Sequence, residues 1–521
     1  MNFHFLCFFP SHPINGVGSP CRSSPTKAPL PHGSLYRHSH MEEKLFRTTC
    51  STDLCFAIFT SFALIWIFLC FDYSTFRFSD NGVLIASSVF STNKLPLHHP
   101  CSGRYLFIHN IPSRFNLDLI RDCQSLTRGT DKSDMCPYFQ NSGLGPEIED
   151  SRGVFFNSSL FKTNQFLLEV IFHNRIKQYE CLTNDSAMAS VIYVPFYAGL
   201  DISRHLWNPN ISARDSSARD FVRLISEKPE WKRMFGRDHF FVAGRISWDF
   251  RRKTDEGSDW GSILRFLPES HNMTMLSIEA SSWKNDFAIP YPTYFHPSKR
   301  SEVVEWQNLM RARRRPHLFT FIGAPRPDLK DSVRGMVIKQ CRDSSLCKFM
   351  DCSSNGVNCD DPITTMKAFQ SSIFCLQPPG DSYTRRSIFD SILGGCIPVF
   401  FNPGTAYSQY LWHFPENQTA YSVYIPVRDA RIWSGSIEGI LKGISKERES
   451  AMREEVIRMI PRIVYADPRS SSWDFEDAFD LAIKGILERV EDVRRKIREG
   501  RDPGEGFDDP DDFKYTFSSR D

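Results

Sequence analysis

The chain has almost no net charge. Its 63 basic and 61 acidic residues leave +2 at pH 7. Both signs are spread along all 521 residues, so nothing points to a nucleic-acid partner or a bulk anionic surface, and any phosphate site must be local. There is no C-x-x-C pair, so a zinc ribbon is not expected. Asp-x-Asp, a common way of holding a divalent cation at a strand end, occurs beyond residue 72 only as Asp509-Pro510-Asp511, in a Gly-, Pro- and Asp-rich tail that reads as solvated. No metal ligand is assigned. No internal repeat is evident, and 41% hydrophobic with 24% charged side chains at this length supports two cores rather than one.

What the chain does carry is one long apolar run, Leu54–Phe71, eighteen residues without a charge and long enough for a transmembrane helix. A buried core helix and a cleaved signal peptide are the alternatives. The run is apolar on every face, and Asp72-Tyr73 follows with no small-x-small cleavage site. Arg22, Lys27, Arg37, Lys44 and Arg47 precede it and only Arg77 closely follows, which places the N-terminus in the cytosol. The reading is a largely disordered cytoplasmic tail over 1–53, an uncleaved anchor over 54–71 and a stem over 72–100. Met41, just ahead of the anchor, is a natural start that leaves residues 1–40 as an upstream extension. Beyond the anchor lie N-x-S/T sequons at Asn157, Asn184, Asn210, Asn272 and Asn417. Ten cysteines, from Cys101 to Cys396, also follow it, an even number that suits disulfides in an oxidising compartment with the pairing left open.

From Cys101 onward short β-rich runs alternate with helical periods, which argues for α/β domains with largely parallel sheets. Tyr105–His109, Ser190–Phe196, His239–Gly244 and Thr274–Ile278 read as strands, and Asn164–Tyr179 as a helix. After the basic stretch Met310–Arg315 a second set begins, with strands at Leu318–Ile322, Ser372–Leu376 and Ile397–Phe401 and helices at Ser332–Arg342 and Arg385–Leu393. A last helix carries apolar residues from Phe475 to Ile497 at three- or four-residue steps and stops at Gly500. The expected domains are 101–309 and 310–500, followed by a disordered acidic tail over 501–521.

The most informative window is Cys375–Phe401, CLQPPGDSYTRRSIFDSILGGCIPVFF. A buried strand runs into Pro-Pro-Gly-Asp-Ser, a turn that frees backbone N–H groups, and a helix then opens with two arginines in its first turn. Cations oppose the dipole there, so an anion must compensate. A pyrophosphate held by orphan N–H groups and by Arg385 or Arg386 would serve, with Ser382 and Tyr383 alongside; the alternative is two solvated arginines. Asp390, further along the helix, suits ribose hydroxyls. Arg326 follows the strand LFTFIG at the carboxyl edge of the sheet, and Arg334 lies a turn into the next helix; both are phosphate-clamp candidates.

Together the windows CSGRYLFIHNIPSRFNLDLIRDC, ECLTNDS, VIYVPFYAGLDISRHLW, RDHFFVAGRISWDFRR, IPYPTYFHP, FIGAPRP and PPGDSYTRRSIFDSILGGCIPVFF resemble the plant xyloglucan galactosyltransferase group of the exostosin-like glycosyltransferases, family 47. The resemblance runs from Cys101 to the last helix. It implies a type II, single-pass Golgi membrane protein of GT-B type, with two Rossmann-like domains facing a cleft. The implied reaction is inverting transfer of galactose from UDP-galactose, as substrate and with no cofactor, to xylosyl side chains of the xyloglucan acceptor. Other Golgi glycosyltransferases are the implied partners. The family commonly shows His-Asp-Leu-Pro where this chain has His109-Asn110-Ile111-Pro112, and Pro-Gln-Gly-Asp where it has Pro378-Pro379-Gly380-Asp381. Related members use galacturonic acid or arabinose donors, and a silent glycan-binding protein is the non-enzymatic alternative.

An inverting displacement needs a base opposite the leaving UDP, on the first domain's side of the cleft. Residues after the strands there are His109, Asp201 and Asp249, whereas Asp238 and His239 stand at the opposite strand end. Asp249, among Trp248, Phe250 and Arg251, ranks first as base; the plain alternative is an ion pair with Arg251 or Arg252 that merely holds a loop. His109 is the second choice of base.

Overall fold

The computed structural model describes residues 101–503 except 127–133, 150–152, 155–158, 257–258, 282, 326–331, 354–355, 357, 381, 428–435 and 471–472. The expected anchor, the stem, Asn157, Arg326 and most of the acidic tail fall outside these residues.

The first sheet contains β1 (Leu106–Ile108), β2 (Val191–Tyr193), β3 (His239–Ile246), β4 (Thr274–Glu279) and β5 (Asp286–Ala288), in that order and parallel throughout. Parallel strands covered on both faces must be apolar along their length. The run FFVAG in β3 and the run MLSI in β4 meet that need, and all of β4 is buried. Helix α1 (Leu168–Ile176) packs Phe172 against Tyr193 and Phe240 of this sheet. Helix α2 (Ala198–Ser203) follows β2. Helix α3 (Ile211–Ser226) is capped by the Asn210 side chain, which accepts from Ala213 N–H at 3.3 Å, and it buries Ala218, Phe221, Val222 and Ile225.

Helix α4 (Arg300–Ala312) leads to the second sheet. Its strands are β6 (His317–Gly323), β7 (Cys347–Asp351), β8 (Ser372–Gln377), β9 (Ile397–Phe400) and β10 (Val423–Tyr424), in the order β10-β9-β8-β6-β7 and again parallel. Helix α5 (Val333–Asp343) lies between β6 and β7, α6 (Pro362–Gln370) between β7 and β8, and α7 (Arg386–Leu393) between β8 and β9. Asp361 caps α6 by accepting from Ile363 and Thr364 N–H, with Pro362 in the first turn. Helix α8 (Lys446–Arg458) and the long α9 (Ala478–Arg498) close the chain. The sequence pattern does not single out the helices α3, α4, α6 and α8, nor the strands β5, β7 and β10, which are short or polar and carry little period.

Two helices cross the boundary expected near residue 310. Helix α4 serves the second sheet's domain, with Trp306 Nε1 donating to Leu393 O at 2.9 Å and Arg311 paired with Glu454 at 2.8 Å. Helix α9 returns to the first, with Phe479 against Phe172 at 4.8 Å and Arg494 donating to Ser190 O at 2.6 Å. An amphipathic helix goes where its apolar face finds cover, which chain order does not dictate. The two crossing segments run side by side: Tyr465 OH donates to Pro290 O at 2.8 Å, and its carbonyl meets His296 Nδ1 at 2.7 Å.

All ten cysteines from Cys101 to Cys396 are paired, as 101–181, 123–136, 341–347, 352–359 and 375–396. Of the sequons, Asn184, Asn210 and Asn417 are exposed. Asn272 is half-buried and donates to Phe235 O at 2.8 Å.

Candidate active site

The two sheets end differently at their carboxyl edges. In the second, Thr320 is level with Cys375 and Cys375 with Pro398, so β6, β8 and β9 finish within one residue of each other. That edge is flush. It also holds a switch point, because β6 and β8 are neighbours while β7 lies on the far side of β6. Open parallel sheets bind ligands in the crevice at such a point.

The loop leaving β8 sits at that crevice and is tied to α7. Ser387 Oγ donates to Gln377 Oε1 at 2.6 Å, while Gln377 Nε2 donates to Ser387 O at 3.2 Å. Gly380 lies against Arg385: a Cβ on it would meet Nη2 at 0.9 Å, so the mobile end of that side chain would have to move, and with no side chain at 380 the guanidinium lies over the loop. Tyr383 packs beside Gly404, where an added Cβ would meet the ring at 3.2 Å. Arg334 is buried and donates to Ala324 O at 3.4 Å, bracing the loop after β6 rather than opening to the crevice.

Arg386 and Asp390 face elsewhere. Arg386 Nε donates to Asp390 at 3.2 Å, its Nη1 donates to Thr163 O at 2.5 Å in the first domain, and its guanidinium covers the Tyr294 ring at 3.7 Å. Burial raises the Asp390 carboxyl to about 6 even with Arg386 beside it. Arg386 and Asp390, expected at phosphate and ribose, form a buried ion pair that braces one domain on the other. The physical reason is helical spacing: residues four apart share a face, so Arg386 Nε reaches Asp390 Oδ2, while Arg385 lies on a different side; Arg386 Nη2 and Asp390 Oδ1 are buried without a hydrogen-bond partner.

The anion that the helix start requires is also internal. Glu279, the last residue of β4, is wholly buried and accepts from Thr384 N–H at 2.7 Å and Thr384 Oγ1 at 2.6 Å, while Trp248 Nε1 donates to its other oxygen at 3.2 Å. Burial raises its pKa, against the pull of its bonds to Thr384 and Ser382. The sequence pattern ends this strand at Ile278, one residue short of its observed end, and so leaves Glu279 out of the expected site. The signal was there: a lone carboxylate closing the otherwise uncharged run TMLSI.

The first sheet's edge is stepped. Ile108, Tyr193, Phe240 and Thr274 are level, so β1 and β2 stop where β3 and β4 begin, and those two strands run five or six residues further, roughly 16–20 Å at ~3.3 Å per residue. His109 therefore lies near the start of β3 and not at the cleft edge. Its ring sits 5.4 Å from that of His239, and burial with this neighbouring imidazole lowers its pKa to about 4. Asp201 is drawn into α2, where Arg204 and Ser217 Oγ (3.0 Å) both donate to Oδ1 and burial raises its pKa. Its role in the structure is to clip α2 to α3.

Asp249 stands just past β3, on the upper step. Arg245 Nε donates to its Oδ2 at 2.5 Å and Trp260 Nε1 to its Oδ1 at 3.1 Å. Arg245 thus replaces the expected Arg251 or Arg252 as its partner. Arg252 pairs with Asp215 at 2.8 Å, and Arg251 lies 4.2 Å over the Trp283 ring. A carboxylate has about four acceptor positions, so two remain on Asp249.

Comparison with known proteins gives this geometry a family. Residues 100–438 match the model described as the exostosin GT47 domain. The chain is 54% identical over 508 residues to "Probable xyloglucan galactosyltransferase GT14" of Arabidopsis thaliana, covering 92% of this chain and 97% of that relative. It is 52% identical over 418 residues to xyloglucan galactosyltransferase MUR3 of the same plant, covering 80% and 67%. A third relative there, xyloglucan-specific galacturonosyltransferase 1, is 40% identical over 394 residues, covering 75% and 58%. The chain belongs to the exostosin GT47 family of glycosyltransferases.

Proposed function

We propose that the chain is a type II, single-pass Golgi membrane enzyme of GT-B architecture that transfers galactose from UDP-galactose to xylosyl side chains of xyloglucan, with inversion, in cell-wall synthesis. The observation that carries the donor half is the flush edge, where Gly380 makes room for Arg385 at the switch point between β6 and β8. The diphosphate of UDP lies there, against the start of α7, with Ser382 and Tyr383 around it. The two galactosyltransferase relatives support galactose as the sugar and xyloglucan as the acceptor.

The reaction is a single displacement. The acceptor hydroxyl attacks the anomeric carbon, the bond to UDP breaks, and the proton passes to Asp249, held on the first domain by Arg245 and Trp260. Guanidinium and helix-terminal N–H groups take the charge on the departing diphosphate, so transfer survives EDTA. Loss restored by Mn²⁺ would contradict that reading. Five disulfides, exposed sequons and the apolar run at 54–71 support a luminal catalytic part behind an uncleaved anchor.

The test is direct. The full-length chain in detergent is incubated with UDP-galactose, UDP-galacturonic acid and UDP-arabinose and with xyloglucan oligosaccharides, and product mass and linkage are read. A β-linked galactose on xylose is expected. Transfer of galacturonic acid alone would move the chain to the specificity of the third relative, and UDP binding without any transfer would make it a binding protein.

A further inference from the structure

Glu279 has no part in the transfer just described, yet it joins the two halves of the site. It closes β4 in the first domain and bonds Thr384, the residue immediately before the N-cap of α7 in the second. That N-cap is Arg385, whose side chain makes no capping bond. A carboxylate there acts as a cap supplied from another domain, in the place where the helix dipole favours negative charge.

The peptide around Glu279 is held by other means. Tyr410 OH donates to Ile278 O at 2.8 Å, Ala280 N–H donates to Gln409 Oε1 at 2.9 Å, and Gln409 Nε2 donates to Ala280 O at 3.2 Å. The strand end is therefore fixed to the second domain whether or not position 279 carries a charge. What the carboxylate adds is control of Ser382–Thr384, the stretch that leads into Arg385. Trp248, adjacent to Asp249, completes the link by donating to the other Glu279 oxygen at 3.2 Å.

We propose that Glu279 is a positioning residue for the nucleotide diphosphate: it orders the Ser382–Thr384 loop from the acceptor side and, being anionic, restricts the diphosphate to the Gly380–Arg385 side of the helix start. This rests on the donor site proposed for UDP. A neutral amide of the same shape cannot do both jobs, because its NH₂ group must face either the Thr384 or the Trp248 donor.

The experiment measures UDP affinity by calorimetry, acceptor KM and melting temperature for the full-length chain and three variants. Glu279→Gln is expected to weaken UDP binding about tenfold, as for the loss of a charge-assisted hydrogen bond, with acceptor KM and melting temperature unchanged. Thr384→Val should weaken UDP comparably, and Thr384→Ser, which keeps the hydroxyl donor, should restore the affinity that Thr384→Val loses. Unchanged UDP affinity in both Glu279→Gln and Thr384→Val would overturn the proposal. So would a fall in melting temperature with equal losses for donor and acceptor, which marks a purely structural contact. Failure of the unmutated chain to bind UDP would instead overturn the donor site on which the proposal stands.

Discussion

The two sheets have five parallel strands each but unlike carboxyl edges. Where strands end level, as in the second, every loop that leaves a strand opens on the same crevice, and position in the sequence translates into position in the site. Where they end in steps, as in the first, the same rule misplaces residues by several strand positions. β1 and β2 have three residues each against eight in β3, so the residues just after them lie deep beside the start of β3. The flush edge suits a rigid nucleotide. The stepped edge leaves the upper strands, β3 and β4, to bring Asp249 and Glu279 forward.

Three substitutions would break or sharpen this contrast. The largest effect belongs to the upper step: Asp249→Asn should bind UDP normally and lose roughly 10²–10⁴-fold in kcat, while His109→Gln, on the lower step, should turn over near the wild-type rate. Initial-rate kinetics on both variants checks it, and equal losses would erase the distinction between the steps. Next comes Arg386→Ala, which strips a buried charge from Asp390 and should cost about 3–5 kcal/mol of stability, read as a lowered denaturation midpoint. A fully stable Arg386→Ala protein that cannot bind UDP would return Arg386 to the crevice.

The smallest effect concerns pH. His109, held at about 4 by burial and by His239, stays neutral in the folded state, so its contribution is complete above the unfolded value near 6.5 and is lost as pH falls toward 4. Asp390, raised to about 6, has the opposite sign: the folded state holds its proton more tightly, so stability is gained as pH falls from about 6 toward 4. Melting temperatures between pH 7.5 and 4.5 should show a shallower acid loss in His109→Gln than in the unmutated chain. No change in that slope would mean that His109 is not buried as described.

Much of this was legible in the sequence. The two α/β domains, most of the central strands and the strand-turn-helix window at Cys375–Phe401 emerge from period and turn chemistry alone. The ten cysteines beyond the apolar run are readable as disulfides, although only the fold could pair them. The missed features depend on register and on contacts distant in sequence. Helical spacing could have shown that Arg386 and Asp390 share a face, but not that Thr163 and Tyr294 of the other domain cover it. Nor could it show that the anion at the start of α7 is Glu279, more than a hundred residues upstream.

What separates the two adjacent arginines is a titration of UDP into the full-length chain and into Arg385→Ala and Arg386→Lys, the last of which keeps a cation for Asp390. With the donor diphosphate at the flush edge, Arg385→Ala should lose roughly 10–150-fold in affinity, the worth of a charge-assisted contact, at an unchanged melting temperature, while Arg386→Lys binds UDP like the unmutated chain. Wild-type affinity in Arg385→Ala together with lost affinity in a stable Arg386→Lys would contradict it.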